Sequence, residues 1–390
     1  MNALMSNYAR YPLALVRGRG SRVWDAKDRE YIDFVAGIAV NTLGHAHPAM
    51  VQAIAEQAAT MIHCSNLYHI PLQTRLAERL CALAGLDEAF FCNSGAEANE
   101  AAIKLARKYF HDRGMPRHTI ITANASFHGR TLATLTATGQ DKVKQGFTPL
   151  PAGFKHVPLN DLAALEQAID EQTAAVMLEP IQGEGGVHIA EDAYLRAVRA
   201  LCDKQGLLLI FDEVQTGIGR TGHMFAFEHA GVRPDILTLA KGLGGGVPIG
   251  ATLARREVSA SFGPGSHGST FGGNPLSCRA ALTVLDVIER ERIIEHVRDA
   301  GAMLRSGLES LCAQFACLAG ARGRGLLLGL ALKENLASDI IERAREEGLL
   351  LLPAGNNVVR CTPALNIPRD DIRQGLDRLT LALTRLGGHR

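Results

Sequence analysis

Two apolar runs in this chain each end in charge. Leu207-Leu208-Leu209-Ile210-Phe211 leads into Asp212 and Glu213, and Asp235-Ile236-Leu237-Thr238-Leu239-Ala240 leads into Lys241 and the glycine-rich stretch Gly242-Leu243-Gly244-Gly245-Gly246. A short apolar run that stops at a charge has the pattern of a buried parallel strand whose C-terminal end opens on a site. An acid at one strand end and a lysine at the next can grip a flat, electrophilic ligand from two sides. The acid would keep a ring nitrogen protonated, because an opposite charge favours the charged form. The lysine would act as a nucleophile once burial had lowered its pKa. The plain alternatives are a helix cap by Asp212 and a phosphate contact by Lys241. The chain has no GxxxxGK[ST] string, and no GxGxxG at a first strand, so a nucleotide-binding reading is disfavoured.

Four further stretches join polar groups to strand ends. Asn93-Ser94-Gly95-Ala96-Glu97-Ala98 connects a predicted strand to a predicted helix. Free N–H groups at such a helix start favour an anion, although an ordinary capped junction reads the same way. Ala123-Asn124-Ala125-Ser126-Phe127-His128-Gly129-Arg130-Thr131 offers an aromatic ring that could stack on a cofactor and an arginine that could fork onto a carboxylate. Core packing of Phe127 and a surface Arg130 is the simpler view of that stretch. Glu179-Pro180-Ile181-Gln182-Gly183-Glu184-Gly185-Gly186 puts two carboxylates and an amide in a loop after a strand, where α/β sheets build their sites. His267-Gly268-Ser269-Thr270-Phe271-Gly272-Gly273-Asn274-Pro275 is a polar loop before a helix, either a phosphate contact or a plain capped loop. An acid, a lysine and a phosphate seat are together what a pyridoxal phosphate enzyme requires. His45 and His47 stand one residue apart and His63, His69 and His128 are scattered, with no HExxH string, so metal catalysis is not expected.

The elements that must hold these residues follow from periodicity. Strands are expected over 21–25 and 30–34 with a hairpin turn at 25–29, then a helix from Pro48 through Met61. From Pro71 onward helix and strand alternate. Helices are expected over 72–84, 96–110 and 192–204, and strands over 88–92, 119–123, 174–178 and 207–211. That alternation argues a mostly parallel sheet covered on both faces. After Ile293 come a helical stretch to Leu311, a strand over 323–329, a helix over 340–347, a short strand over 358–361 and a final helix over 371–386. The chain of 390 residues exceeds the usual size of one core. We expect 1–50 and 293–390 to form one small α+β domain, and 51–292 a large one.

Composition bounds the function. Forty-one basic residues against 40 acidic ones give a net charge of +1, which supports neither a nucleic-acid nor a membrane-surface role. The eight cysteines form no CxxC pair and sit mostly in apolar surroundings, as reduced buried thiols do. No basic leader precedes an apolar core and no run reaches membrane-spanning length, so a cytoplasmic protein is expected.

These motifs resemble those of the class III pyridoxal-phosphate aminotransferases, the subgroup that acts on ω-amino groups. The resemblance runs from Gly37-Ile38-Ala39-Val40-Asn41-Thr42-Leu43-Gly44-His45 to Arg360-Cys361-Thr362-Pro363 and centres on residues 209–222 and Ala240-Lys241-Gly242. It implies fold type I, with a mostly parallel seven-stranded sheet, and a cofactor, pyridoxal 5'-phosphate. By that resemblance Lys241 would be the Schiff-base lysine and proton carrier, and Asp212 would pair with the pyridine nitrogen. Phe127 would stack on the ring, and Gln215 would meet its phenolic oxygen. Gly95 and Ala96, helped by Ser94, would bind the phosphate, and Thr270 would reach the phosphate of the neighbouring subunit of a homodimer. Arg130 would bind a substrate carboxylate. Arg360 would bind the α-carboxylate of glutamate or 2-oxoglutarate, and Glu184 would neutralise it when an ω-amine is present. The string at 37–45 and Ser65-Asn66-Leu67-Tyr68 suggest N2-acetylornithine as the donor, with Asn66 and Tyr68 near it. Ornithine, succinylornithine, succinyldiaminopimelate, 4-aminobutyrate and putrescine remain open. So do a racemase, mutase or decarboxylase of the same fold and a binding protein that kept the fold without the reaction.

Overall fold

A computed structural model of the chain describes residues 3–387. Residues 1–2 and 388–390, the extreme ends of the expected terminal segments, lie outside it. The central sheet has seven strands, in the spatial order Glu88–Cys92, Gly250–Ala254, Ile236–Leu239, Leu208–Asp212, Thr173–Leu178, Thr119–Ala123, Phe154–Val157. All neighbouring pairs are parallel except those made by Gly250–Ala254, which runs antiparallel to both of its partners. The expected mostly parallel seven-stranded fold is the one observed. The reversed strand itself has no clear pattern in the sequence. Gly-Ala-Thr-Leu-Ala is made largely of small residues and emerges from a glycine-rich loop.

Helices cover both faces. Side chains alternate along a strand, and the strand Leu208–Asp212 shows this directly. Leu209 and Phe211 join the larger apolar cluster, while Leu208 and Ile210 join a second one beneath the helix Gly95–His111, with Ala102, Ile103 and Ala106. Burial on both sides explains why this strand reads as a continuous apolar run rather than an alternating one.

The two ends of the chain share a sheet. Leu15–Arg19, Arg22–Asp25 and Glu30–Asp33 form an antiparallel meander, and Leu349–Leu350 adds to it in parallel beside Glu30–Asp33. The turn between the second and third strands is closed by Asp25, whose Oδ1 accepts from the N–H groups of Lys27 (2.8 Å) and Arg29 (2.9 Å). The strand expected over 323–329 is a correction. The structure has two strands there, Leu318–Arg324 and Leu327–Leu332, joined by a tight turn. Gly325, at φ 55°, takes the left-handed conformation that this turn requires. An added Cβ there would also meet the Thr221 carbonyl carbon at 2.5 Å.

Between the terminal sheet and the central one, Ala36, Gly37, Ile38 and Ala39 form a single left-handed turn, with φ of 47°, 65°, 67° and 59°. Each non-glycine residue there costs about 1–2 kcal/mol. Hydrogen bonds hold the turn in place. Asp33 Oδ1 accepts from Val35 N and Ala36 N at 2.9 Å, and Thr362 Oγ1 donates to the Val35 carbonyl at 3.1 Å. A second anchor is Arg220, which is fully buried with no carboxylate partner among the described residues. It donates to the carbonyls of Leu326 and Pro363, and burial pushes its pKa down to about 9. The stretch after Asp212 is thereby tied to the C-terminal segment that carries Arg360.

Ile210 is wholly buried in a central strand. We expect Ile210→Ala to destabilise the protein by about 2–5 kcal/mol. A thermal midpoint equal to that of the parent protein would contradict this packing.

Candidate active site

A cavity of about 410 Å³ opens at the C-terminal ends of the parallel strands. Of the residues expected at the site, it is lined by Ser94, Gly95, Ala96, Phe127, Arg130, Glu184, Asp212, Gln215 and Lys241. Val40, just past the left-handed turn, and the stretch Gly246–Ile249 supply apolar wall.

The start of the helix Gly95–His111 faces the cavity and could hold an anion. Ser94 caps that helix: its Oγ accepts from Glu97 N at 3.2 Å, and the Glu97 carboxylate accepts in turn from Asn93 N at 3.0 Å. Gly95 and Ala96 then keep N–H groups that the helix itself does not use. Gly95 has no room for a side chain, since a Cβ would lie 2.7 Å from Val214 Cγ1. The glycine is therefore needed for close approach of the strand-end loop.

Asp212, 3 % exposed, is fixed by three donors. Its Oδ2 accepts from Asn99 Nδ2 at 2.7 Å and His128 Nδ1 at 2.8 Å, and its Oδ1 accepts from Val214 N at 3.0 Å. Asn99 is itself oriented by Thr238 Oγ1, which donates to Asn99 Oδ1 at 2.7 Å. Burial opposes a charge on His128, but the hydrogen bond and charge of Asp212, with Glu179 nearby, together hold it above its ordinary value. Glu179 is buried as well. Burial first, and then the Asp212 charge, push its pKa up to about 8. Its two oxygens accept from Phe127 N (2.9 Å) and Gly183 N (3.3 Å), so one carboxyl group ties the loop of Phe127 to the loop of Glu184.

Lys241 follows the strand Ile236–Leu239 with φ of 42°, a strained value for a side-chain-bearing residue. Thr42 Oγ1 holds the next residue by donating to the Gly242 carbonyl at 2.7 Å. Burial lowers the Lys241 pKa, and Arg360 adds to this. Glu184, Asp212 and Glu179 act in the opposite sense without reversing it. Burial therefore makes it easier for the Lys241 ammonium to give up its proton.

Arg360 lies behind the cavity wall, with 1 % of its side chain exposed. Its Nη1 donates to Glu184 Oε1 at 2.6 Å, to the Gly183 carbonyl at 2.9 Å and to Gln215 Oε1 at 3.0 Å, while its buried Nε has no partner among the described residues. Burial opposes the Glu184 charge, yet Arg360 and Lys241 hold its pKa down to about 2. Gln215 also donates from Nε2 to Glu184 Oε1 at 3.0 Å. Its amide, expected at a ring oxygen, is engaged here by the ion pair.

Asn66, Tyr68 and Thr270 lie outside the cavity. Asn66 Nδ2 donates to the carbonyls of Ser269 (3.0 Å) and Gly272 (2.9 Å), which fixes the loop carrying Thr270. Tyr68 is 69 % exposed and Thr270 is exposed, with Phe271 and Leu67 beside them. Three groups that shape the site were not singled out in the sequence for the parts they play. Asn99 is a polar residue inside a helix, while His128 and Glu179 stood in recognised loops with no role assigned. Their signal is the presence of polar side chains in segments that are otherwise buried.

The residues present fit pyridoxal phosphate. The cradle at Gly95 accepts a phosphate, the Phe127 ring edges the cavity with the Arg130 guanidinium 5.6 Å from its centre, and Asp212 and Lys241 stand at adjacent strand ends. The family model for class-III aminotransferases matches residues 4–383. An acetylornithine aminotransferase of Thermosynechococcus vestitus is 54 % identical, covering 98 % of this chain and 95 % of its own length. One from Caldanaerobacter subterraneus is 53 % identical, covering 98 % of each. Among solved structures, the ornithine aminotransferase of Toxoplasma gondii superposes with a TM-score of 0.95 at 34 % identity, covering 99 % of this chain and 93 % of that one. The N-acetylornithine aminotransferase of Stenotrophomonas maltophilia gives 0.86 at 41 %, covering 98 % of both.

The ion pair makes a pH prediction. The carboxyl of Glu184 sits at about 2 in the folded chain against an ordinary 4.5, so the stability it adds is fully present above the ordinary value and disappears as pH falls toward 2. Glu184→Gln should lower the thermal midpoint at pH 7, and the gap from the parent protein should close across that acid window. A gap that stays constant down to pH 2 would show that the pair is not the cause.

Proposed function

The chain belongs to the class-III aminotransferases, enzymes that use pyridoxal phosphate, and on that premise we propose that it moves the δ-amino group of N2-acetyl-L-ornithine to 2-oxoglutarate. The products are N-acetyl-L-glutamate 5-semialdehyde and L-glutamate, and the reaction is a reversible step of arginine biosynthesis. The observation that carries this reading is the buried Arg360–Glu184 pair beside Lys241. A dicarboxylate acceptor calls for a free arginine, whereas an N-acylated amino donor calls for a neutralised one. A salt bridge with one partner buried and the other 29 % exposed can serve both, because Glu184 has room to leave while Arg360 stays held by Gly183 and Gln215. The near-full-length similarity to relatives named for acetylornithine supports the choice of donor. A second reading, ornithine as donor, draws on the close superposition with the Toxoplasma gondii enzyme.

Pyridoxal phosphate supplies an aldehyde that condenses with amines and a pyridinium ring that withdraws electrons from the carbon being deprotonated. The protein supplies the rest. Gly95 and Ala96, with Ser94, bind the phosphate through N–H groups at the helix start. Asp212, held rigid by Asn99 and His128, keeps a positive charge on the ring nitrogen. Phe127, which lines the cavity, would pack on the ring. Lys241, whose ammonium burial makes easier to deprotonate, would take a proton from the donor carbon in one half-reaction and return one to the acceptor carbon in the other. Arg130 receives the donor's carboxylate. Gln215 is assigned to the ring oxygen once the ion pair opens, and Asn66 and Tyr68 to the outer end of the donor. Thr270, exposed on its loop, is assigned to the phosphate of the neighbouring subunit, which makes the working unit a homodimer. Cytoplasm is the compartment we assign; no helix among the described residues is long and apolar enough to cross a membrane.

Two experiments test this. Lys241→Ala should change the visible absorbance of the bound cofactor and lower turnover by about a hundredfold or more, and an unchanged spectrum would remove Lys241 from its role. For the donor, candidate amines are mixed singly with the cofactor-loaded protein and the spectrum is followed with no acceptor present. Conversion fastest with N2-acetylornithine is the expected result. Faster conversion with ornithine or 4-aminobutyrate would reassign the substrate.

A further inference from the structure

A second cavity, about 470 Å³, lies along the outer half of the helix Gly95–His111. It is lined by Lys104, Arg107, Lys108, His111, Arg117 and His118, with Phe262 at one side and no carboxylate in its wall. Lys104 is nine residues beyond Gly95, about 14 Å along the helix axis, so this cavity is separate from the phosphate seat.

The charge here is unbalanced. Lys108 pairs with Asp112 at 2.8 Å. Lys104, Arg107 and Arg117 have no carboxylate partner within 4 Å among the described residues; the Lys104 ammonium meets only His267 Nδ1, at 2.7 Å. Some arginines elsewhere do pair, as Arg79 does with Asp286 and Glu289 and Arg199 with Asp203 and Asp235, while Arg298 and Arg322 donate to carbonyls; here three cations without a carboxylate partner share one cavity. The helix dipole accounts for cations in the last turn, Lys108 and His111. It does not account for Arg117 and His118, which come from the segment after the helix and close the cavity from the other side.

The two arginines are held in place. Arg107 donates from Nε to the His118 carbonyl (2.9 Å) and from Nη2 to that of Ala152 (2.9 Å), and its guanidinium carbon lies 5.0 Å from the Phe154 ring centre. Burial lowers its pKa. Arg117 donates from Nη1 to the carbonyls of Gln205 (3.1 Å) and Gly206 (2.8 Å), over the ring of Phe110 at 5.3 Å. Carbonyls and rings orient these groups without neutralising them. Nη1 of Arg107, and Nε and Nη2 of Arg117, keep N–H groups with no acceptor among the described residues. Two fixed guanidiniums beside two ammonium groups make a receptor for phosphate or carboxylate oxygens.

We propose that this cavity binds a small oligoanion, bearing three or more negative charges on phosphate or carboxylate groups, at a site distinct from the catalytic one. The site is independent of which amine the enzyme uses. The test is calorimetric titration of the cofactor-loaded enzyme, at low ionic strength, with inorganic tripolyphosphate and, in parallel, with citrate. Binding of either at one equivalent per chain is expected, weakening as sodium chloride is added. Lys104→Gln combined with Lys108→Gln should weaken that binding tenfold or more and leave turnover and the cofactor spectrum unchanged. Arg79→Gln, a change of the same type on another face, should leave binding intact. No binding of either anion up to millimolar concentration would overturn the proposal. So would equal affinity in the double variant, or binding that displaces the cofactor from its own phosphate seat.

Discussion

Taking charge out of water is the constraint on which this structure turns. On the proposed roles, Asp212 would face a ring nitrogen as a carboxylate and Lys241 would lose its proton, both groups being buried. A bare buried charge costs several kcal/mol, so each must be held by partners that fix its state. The fold meets the first need with three donors on Asp212, all brought in by elements of the central sheet or its covering helix. It meets the second by withholding close acid partners. Lys241 feels Glu184, Asp212 and Glu179 only through space, and burial prevails. The same cavity thus stabilises one charge and disfavours the other, through hydrogen bonding in the first case and its lack in the second.

The Arg360–Glu184 pair follows the same logic with a different outcome. Arg360 is wholly enclosed and, besides Glu184, donates to a carbonyl and to an amide oxygen. Its partner is the more exposed member and hangs from a glycine-bounded loop. Removing one partner of a buried pair is costly unless a replacement arrives with the same charge. On the proposed reading, a substrate carboxylate would be such a replacement. Glu179 sits at the root of that loop and holds Gly183 and Phe127 together, so one buried carboxyl ties the loop of Glu184 to the loop of Phe127.

Much of this was legible in the sequence because the chemistry sits where a burial pattern breaks. Asp212 and Lys241 interrupt apolar runs, and Gly95 sits at a strand-to-helix junction; both signals are local. What was illegible depends on tertiary company. Asn99 looks like any polar residue within an alanine-rich helix, and only the fold brings it 113 positions along the chain to Asp212. The left-handed turn at 36–39 has alanine and isoleucine where a left-handed conformation is disfavoured, so no propensity argument finds it. Residues 323–329 read as one strand because Gly325 resembles a strand glycine until its φ is known. The segment that carries Arg360 is anchored at Pro363 by Arg220 from a distant loop, a link that no local pattern shows.

The reversed strand Gly250–Ala254 has a consequence for how the molecule is born. The strand Glu88–Cys92, which leads directly into the Gly95 cradle, pairs with no other strand of the sheet. During synthesis from the N-terminus, the cradle therefore waits on a partner made about 160 residues later. The Val40 wall waits longer still, because its neighbouring strand Glu30–Asp33 is completed by Leu349–Leu350. Such long-range pairings are slow to close. A ribosome-bound chain that already displays Lys241 still lacks the strand that closes the Gly95 cradle. The two walls of the cavity are in this way completed late, after most of the chain between them has been made.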